Sequence, residues 1–292
     1  MSPAPSMKAF LLHLARLRNT WPTLRICIEN LDTQTWQMPQ VEALHDSQVI
    51  SLKIEEWYKG HADPDLNGLE VKKLLLNMKQ MKVLHLKAFK SEATMSDSNI
   101  FAADRLPALE ELVLHGYDWQ FSAITAVTFW DWTKITHLEL IRVTILPFLR
   151  TVPPENLLHL KTFVSDSFSE RESLNWDEAN GLLCKLVRLI LDPEKLSIRI
   201  NRGPHDNRNM DSMADCVRAI ATHGQSLRLL DLQGHWSRDD DRYKDLVRNW
   251  KKDLLTLQSC PNVMELTLDD AILALQVQVS QSLYQLTQYG NT

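Results

Sequence analysis

Three histidines recur in the middle of the chain at positions where their side chains could meet. His85, His115 and His137 fall on successive predicted strands at outward positions, and adjacent strands in a sheet lie about 4.8 Å apart. Two such imidazoles could therefore share a metal ion. No acid or thiolate completes a ligand set with them, so we expect exposed recognition residues here and no metal site.

Two other polar clusters could be interpreted chemically. The run Asp239–Asp241 lacks the alternating acids, central Gly and distal Glu of a calcium loop, and it suits the solvated first turn of a helix. His205 and Asp206 could act as an acid or a base, but the sequence shows no nucleophile positioned for them. Phosphate loops, nucleophile elbows, zinc-protease motifs and dinucleotide fingerprints are missing from the sequence. We therefore predict no catalytic residues and no cofactor.

The composition is that of an ordinary globular protein. The 292 residues are 44% hydrophobic, which can supply a sizeable core, and the formal net charge is −5. This charge does not favour nucleic acid as a partner, and no apolar run approaches the roughly 18 residues of a membrane helix. The four cysteines are scattered, without the close pairs of zinc sites or disulfide frameworks. We expect buried thiols and a cytoplasmic or nuclear protein that contacts neither nucleic acid nor membranes.

The elements that would position these side chains follow from a repeated pattern. The stretch "LRLLDLQGHW" places leucines at 227, 230 and 232, and these offsets suit neither a regular helix face nor a simple strand. Apolar residues at the first, fourth and sixth positions occur nine times, with Ser165 as the one polar exception. The nine fourth positions are Leu24, Leu52, Leu84, Leu112, Leu138, Phe163, Leu189, Leu230 and Leu266. The first seven stand 25 to 32 residues apart, which indicates a structural repeat.

This pattern resembles the leucine-rich repeat, whose unit is a short strand followed by a helical or irregular return. The resemblance covers nearly the whole chain. It implies an α/β fold, a leucine-rich-repeat solenoid with a curved parallel sheet on the concave side and helices or irregular returns on the convex side. We expect an N-terminal helical cap at 1–20, the irregular solenoid at 21–270 and a C-terminal cap at 271–292. Large residues such as Tyr117 and Val143, at the ninth position where the family usually has Asn or Cys, predict wide, irregular coils.

The returns between copies are predicted to be helical in several places. The clearest is "DSMADCVRAIATHG", in which Cys216, Val217 and Ile220 lie on one apolar face. Residues 69–80 and 237–258 show similar patterns. The long gap between the seventh and eighth copies contains "KLSIRINRGPHDNRN", which we interpret as a hairpin-like excursion followed by an exposed loop.

The residues between the inward positions would form the concave surface of such a fold. Their N-terminal half is basic, their centre apolar and their C-terminal half acidic. The predicted binding residues are Arg25, Lys53, His85, Lys87, Val113, His115, Glu139, Ile141, Val164, Asp166, Ile190, Asp192, Asp231 and Asp269. A protein partner with an apolar centre and oppositely arranged charges would fit this strip. Alternatively these side chains only keep the surface soluble, which leaves the exposed β-branched residues unexplained.

Two blocks narrow the resemblance further. "ATHGQSLRLLDLQG" and "CPNVMELTLDD" look like the repeat regions of fungal F-box proteins with leucine-rich repeats. In that family the repeats capture a substrate, and a short N-terminal F-box docks the adaptor of a cullin-RING ubiquitin ligase. Only about twenty residues precede Trp21, fewer than an F-box occupies, so we expect the repeat region alone.

The resemblance implies a non-catalytic protein-interaction module, related to the substrate-recognition region of F-box receptors, with a protein ligand on the concave face. Cullin-RING ligase components would be partners only through a missing F-box. A free-standing leucine-rich-repeat scaffold unconnected to ubiquitin is one alternative. A hydrolase or metal-dependent enzyme is another, and it would need a catalytic constellation that the sequence does not show.

Overall fold

The computed structural model describes nine stretches of the chain. They are residues 26–32, 49–55, 75–76, 78–87, 93–96, 105–166, 176–201, 210–235 and 260–268. The chain divides into two compact units, Met1–His159 and Leu160–Thr292, and each unit is described by itself. The predicted caps at 1–20 and 271–292, and the predicted helix at 237–258, lie outside the described residues.

The first unit is built on an open sheet of parallel strands. In chain order its elements are β1 (Ile26–Asp32), β2 (Val49–Glu55), β3 (Val83–Lys87), β4 (Ala93–Ser96), β5 (Glu111–His115), β6 (Tyr117–Gln120), α1 (Ala123–Phe129), a 3-10 turn (Trp132–Lys134), β7 (His137–Ile141), α2 (Ile145–Thr151) and a second 3-10 turn (Pro154–Asn156). The strand order is β1-β2-β3-β5-β7, and β4 pairs with β6 in a separate parallel ribbon.

The repeated leucines of this unit lie in register across its strands. Leu52 is opposite Leu84, Leu84 is opposite Leu112, and Leu112 is opposite Leu138. All four side chains are completely buried, because alternate residues of a strand point to opposite faces and this set points into the core. The predicted register is therefore confirmed for β2, β3, β5 and β7.

A main-chain clamp fixes where each strand begins. The carbonyl of Lys82, the residue before β3, accepts hydrogen bonds from the N–H groups of Glu110 (2.7 Å) and Glu111 (3.0 Å). The carbonyl of Glu110 in turn accepts from Thr136 (2.9 Å) and His137 (3.1 Å). In both cases the carbonyl of the second residue of a repeat accepts two N–H groups at the start of the next strand. These hydrogen bonds also satisfy backbone polar groups at the strand ends.

The short returns of the first unit are packed by aromatic rings. Trp132 stacks on Trp130 with centroids 5.4 Å apart, and Phe148 lies 5.6 Å from Trp132 and 5.0 Å from Trp119. The indole N–H of Trp132 donates to the Ala126 carbonyl (2.8 Å), and that of Trp119 donates to the Thr151 hydroxyl (2.8 Å). Aromatic packing was expected from the ninth-position residues, but other rings supply it; the ninth-position residues Tyr117 and Val143 are buried, at 2% and 0% exposed.

The second unit combines four parallel strands with two longer helices. Its elements are β8 (Thr162–Asp166), α3 (Trp176–Leu189), β9 (Lys195–Asn201), α4 (Met210–Ala221), β10 (Leu229–His235) and β11 (Glu265–Leu268). The strands pair in the order β8-β9-β10-β11. The clamp recurs, because the carbonyls of Lys161, Glu194 and Arg228 each accept two N–H groups from the start of the next strand.

The predicted seventh copy was wrong. Leu186 and Leu189 belong to α3, and Leu191 lies after it with 55% of its surface exposed. The strand that takes this place is β9, in which Leu196 and Ile198 are buried opposite Phe163 and Ser165. An amphipathic helix also spaces leucines by three residues, which explains the mistaken register. The segment interpreted as a hairpin-like excursion is therefore an interior strand, and residues 202–209 lie outside the described residues.

The first copy is also out of register with the structure. The backbone places Ile28 opposite Leu52 and Leu31 opposite Ile54, with an irregularity between Ile28 and Leu31. The predicted triplet ended at Ile26, which is where β1 begins. The predicted triplet is four residues too early at Leu52, where Ile28 rather than Leu24 is the partner, and the extra residue between Ile28 and Leu31 makes the difference five at Ile54.

The predicted helix in "DSMADCVRAIATHG" is confirmed as α4, with Cys216, Val217 and Ile220 almost completely buried. Within the predicted helix at 69–80, Leu75 and Leu76 are helical, whereas the other described residues, 78–80, are not. No helix among the described residues is long and apolar enough to cross a bilayer.

Candidate binding surface

The outward side chains of β3, β5 and β7 form one half-exposed surface, called here the N-terminal face. Every outward residue of these strands is half-buried, while every inward residue between them is buried. The nine members are Val83, His85, Lys87, Glu111, Val113, His115, His137, Glu139 and Ile141. Lys53 of β2 continues the surface, because it lies opposite His85 and is half-buried as well.

Two histidine–glutamate pairs order the centre of this face. Nε2 of His85 on β3 donates to Oε1 of Glu111 on β5 across 2.5 Å. On β7, Nε2 of His137 donates to Oε1 of Glu139 across 3.0 Å. Glu111 lies directly opposite His137 in the register, so the two pairs are neighbours. Hydrogen bonds to a carboxylate orient the imidazole rings, and the face therefore presents polar groups in fixed directions.

Apolar side chains lie between these pairs. Val113 is opposite His85 on one side and Glu139 on the other, and Ile141 is opposite His115. Both are half-buried, as the sequence predicted for the apolar centre. The face therefore combines apolar area, which can supply affinity, with oriented polar groups, which can set the orientation of a ligand.

The three histidines do not come together as ligands. His85, His115 and His137 occupy three different rows of the sheet, because their register partners are Val113, Ile141 and Glu111 respectively. An offset of two residues displaces side chains by about 6 to 7 Å along a strand. Among the described residues, no group of three or more His, Cys, Asp or Glu side chains could hold a metal ion. Asp239–Asp241, His205 and Asp206 lie outside those residues.

The charge of the N-terminal face is mixed rather than basic. Lys53 and Lys87 are present as predicted, but Glu111 and Glu139 lie among them, and each lysine takes part in further interactions. Glu111 and Val83 were not among the predicted binding residues, and His137 was predicted as an exposed recognition residue but not as part of the concave strip. The alternation of side chains along a strand places the third repeat position outward as well, so the sequence carried the signal. Arg25 lies outside the described residues.

The outward residues of β8, β9 and β10 form a second surface, called here the C-terminal face. Val164 and Asp166 on β8 are half-buried as predicted. Oδ1 of Asp166 pairs with the guanidinium of Arg199 on β9 (2.6 Å), and Ser197 donates to Oδ2 of Asp231 on β10 (2.8 Å). Because the seventh copy was placed at 186–191 instead of on β9, Ser197 and Arg199 were not predicted to lie on this face. The face is therefore less acidic than the sequence indicated.

Two predicted binding residues are not on a strand at all. Ile190 is 1% exposed, because it follows α3 and packs into the core rather than facing out. Asp192 is exposed in the turn before β9, and its carbonyl accepts a hydrogen bond from Nζ of Lys161 (3.1 Å). Asp269 lies outside the described residues.

A shallow cleft lies at the amino ends of the strands in the second unit. Its volume is about 560 Å³, and its lining includes Lys161, Asp192, Glu194, Arg228 and Met264. These residues belong to the turns that carry the main-chain clamp. None of the outward strand residues of the C-terminal face described above lines this cleft. Its lining contains two acidic and two basic residues, so it carries no net charge of one sign.

No protein-family model matches this chain, and no curated protein matches it at a significant level.

Proposed function

We propose that this chain is a non-catalytic protein-binding module and that the N-terminal face is its principal contact surface. The supporting observation is that a parallel sheet has one face buried and the other half-exposed along β3, β5 and β7. All-parallel sheets are normally covered on both faces. A protein partner laid across the outward residues would supply the second cover.

The chemistry of the face supports a protein as the ligand. Val83, Val113 and Ile141 offer apolar area, and the two histidine–glutamate pairs offer oriented donors and acceptors beside it. Apolar contacts at the centre of an interface supply most of the affinity, and polar groups around them set orientation. Because the face carries both acidic and basic side chains, it suits a partner surface with charges of both signs rather than a strongly acidic or basic polymer.

The finer architecture that fits this function is a leucine-rich-repeat solenoid. Its support is the main-chain clamp, which recurs at the second repeat position in both units, and the register of the inward residues. Stacked units of this kind bury a continuous core that no single unit could bury alone.

The resemblance to fungal F-box proteins extends the proposal to ubiquitin. In that form the chain recognises a substrate in the cytoplasm or nucleus for a cullin-RING ligase. The free-standing scaffold remains the competing form of the same proposal. The two differ in whether a cullin and its adaptor are recovered with the chain.

The test is affinity capture of tagged variants under mild cross-linking, read by mass spectrometry. Val113→Glu places a charge at the centre of the N-terminal face and Ile141→Glu places one at its edge on β7. Ile124→Glu is the control, because Ile124 is 78% exposed on α1 rather than on a strand. We expect the captured proteins to be lost with both face variants and kept with the control. Equal capture by all variants would contradict the assignment of the face.

The same experiment separates the two forms of the proposal. A cullin and its adaptor, recovered with the wild type, would support substrate recognition for a ligase. A reproducible partner without ligase components would support the scaffold. Val164→Glu, which changes the C-terminal face, shows whether the second unit contributes to the same capture.

A further inference from the structure

Two cysteines that are far apart in the sequence meet between α3 and α4. Cys184 lies on α3 and Cys216 on α4, and the two helices pack against each other. Their thiols are hydrogen-bonded to one another. The side chains are 4% and 0% exposed, and neither forms a disulfide.

Polar contacts on either side hold the two helices in this register. The guanidinium of Arg188 on α3 lies 3.7 Å from Oδ1 of Asp215 on α4. Nε2 of His223, just after α4, donates to the carbonyl of Val187 in the last turn of α3 (2.5 Å). These contacts come from residues adjacent to each cysteine or within one or two turns of it, so the two thiols are kept facing each other.

The two thiols are electronically unequal. The pKa of Cys184 is lowered because its sulfur accepts the hydrogen bond from Cys216; burial and the nearby Asp215 carboxylate oppose this effect, and Arg188 adds to it. The pKa of Cys216 is raised well above its ordinary value, because its S–H donates that hydrogen bond and because the side chain is buried. Since the thiolate is the reactive species, this inequality favours Cys184 as the attacking thiol.

We propose that Cys184 and Cys216 are a redox-active pair that closes to a disulfide between α3 and α4. With hydrogen peroxide as oxidant, the Cys184 thiolate attacks one peroxide oxygen, the O–O bond breaks, and hydroxide leaves to give a sulfenic acid. Cys216 then attacks the Cys184 sulfur, the S–O bond breaks, and water leaves as the S–S bond forms. Overall, two thiols and one peroxide yield one disulfide and two waters. This inference does not depend on the proposed function.

The disulfide would change the second unit in a measurable way. It closes a loop of about 30 residues, a cross-link that the chain-entropy model expects to stabilise the folded state. That loop contains β9, so oxidation would restrain the strand that provides Ser197 and Arg199 to the C-terminal face. The oxidised protein should therefore melt several degrees higher than the reduced protein.

The experiment uses the full chain treated with a small excess of hydrogen peroxide, then quenched, denatured and alkylated with N-ethylmaleimide. Peptide mapping should show the peptides of Cys184 and Cys216 joined, with two thiols lost per chain and both recovered after dithiothreitol. Cys260, which is 7% exposed, should stay alkylated and serves as the internal control. Alkylation of both thiols after peroxide, sulfinic acid at Cys184 or a disulfide between two chains would each overturn the proposal.

A variant without Cys184 distinguishes oxidation of the pair from non-specific oxidation of Cys216. Cys184→Ser is nearly isosteric and removes the proposed nucleophile. We expect Cys216 in this variant to remain alkylated after the same peroxide treatment, and the melting temperature not to rise on oxidation. Rapid loss of the Cys216 thiol without Cys184 would show that the two residues do not act as a pair.

Discussion

The two units contain the same strand pattern but return the chain in different ways. In the first, short returns between β5, β7 and the following residues are filled by Trp119, Trp130, Trp132 and Phe148. In the second, α3 and α4 supply aliphatic and cysteine side chains instead. The fourth positions are accordingly 28 and 26 residues apart from Leu84 to Leu138, where the rings pack, and 33, 34 and 36 apart from Phe163 to Leu266. Leu52 and Leu84, earlier in the first unit, are 32 apart.

This difference shows that the strand and its return solve separate physical problems. The strand needs inward apolar residues at alternate positions and a clamp at its start, and both units meet these needs in the same way. The return needs only enough apolar volume to cover the inward residues. A few large rings can do this in a short segment, whereas smaller side chains require a whole helix.

The largest expected effect comes from removing a ring in the first unit. Trp132 is 2% exposed, contacts Trp119, Trp130 and Phe148, and donates one buried hydrogen bond. Trp132→Ala should lower the free energy of unfolding by about 3 to 5 kcal/mol, measured by urea denaturation. Trp132→Phe keeps a ring in place and should cost clearly less. Equal losses for the two variants would mean that the stacked rings do not support this return.

The corrected register of the second unit gives the next prediction. Leu196→Ala should cost about 2 to 5 kcal/mol, because Leu196 is completely buried on β9. Leu191→Ala is the matched control, and it should change stability by no more than about 0.5 kcal/mol, since Leu191 is 55% exposed. Urea denaturation of both variants checks this. A larger loss of stability for Leu191→Ala than for Leu196→Ala would support the seventh copy as first predicted, and the spacing of the second unit would then have to be revised.

A smaller effect tests how the second unit holds its helices together. His223 is 9% exposed and donates to the Val187 carbonyl, so His223→Ala leaves a buried acceptor unpaired and should cost about 1 to 3 kcal/mol. His223→Gln can donate to the same carbonyl and should retain part of this stability. Thermal denaturation at constant pH compares the two. If both variants matched the wild type, the contact would not hold α4 against α3.

The smallest effect concerns the turns that end the strands of the first unit. Gly116 after β5 and Arg142 after β7 both have positive φ, at 79° and 54°. A non-glycine residue is strained in this region by about 1 to 2 kcal/mol, and glycine's larger unfolded-state entropy offsets part of the gain. Arg142→Gly should therefore stabilise the protein by about 0.5 to 1 kcal/mol, and Gly116→Ala should destabilise it. A lower melting temperature for Arg142→Gly would contradict this account.

The sequence predicted most of the strands because the physical requirement there is local. Inward residues at the fourth and sixth positions follow from alternation, and the leucines of β3, β5 and β7 were placed correctly for that reason. Leu266 was also predicted to face inward, but it is 36% exposed, because β11 is the last paired strand among the described residues of its unit.

Other features depend on contacts that spacing alone does not encode. Leu186 and Leu189 lie on α3 and Leu191 just after it, so the three match the repeat only by chance. The alternating "KLSIRI" after Pro193 was the signal for β9, but it was interpreted as a hairpin-like excursion. The histidine–glutamate pair of His85 and Glu111 crosses between two strands. The meeting of Cys184 with Cys216 requires two helices to pack together, and nothing in their separation along the chain points to it.

The main-chain clamp has a consequence for how such a chain can change over evolutionary time. The hydrogen bonds that start each strand are made by carbonyl and N–H groups, which every residue other than proline provides in full. Substitutions at the outward positions therefore leave the strand register untouched. Selection can exchange the residues of a face for others, one at a time, and alter what the surface recognises while the framework beneath it is inherited unchanged.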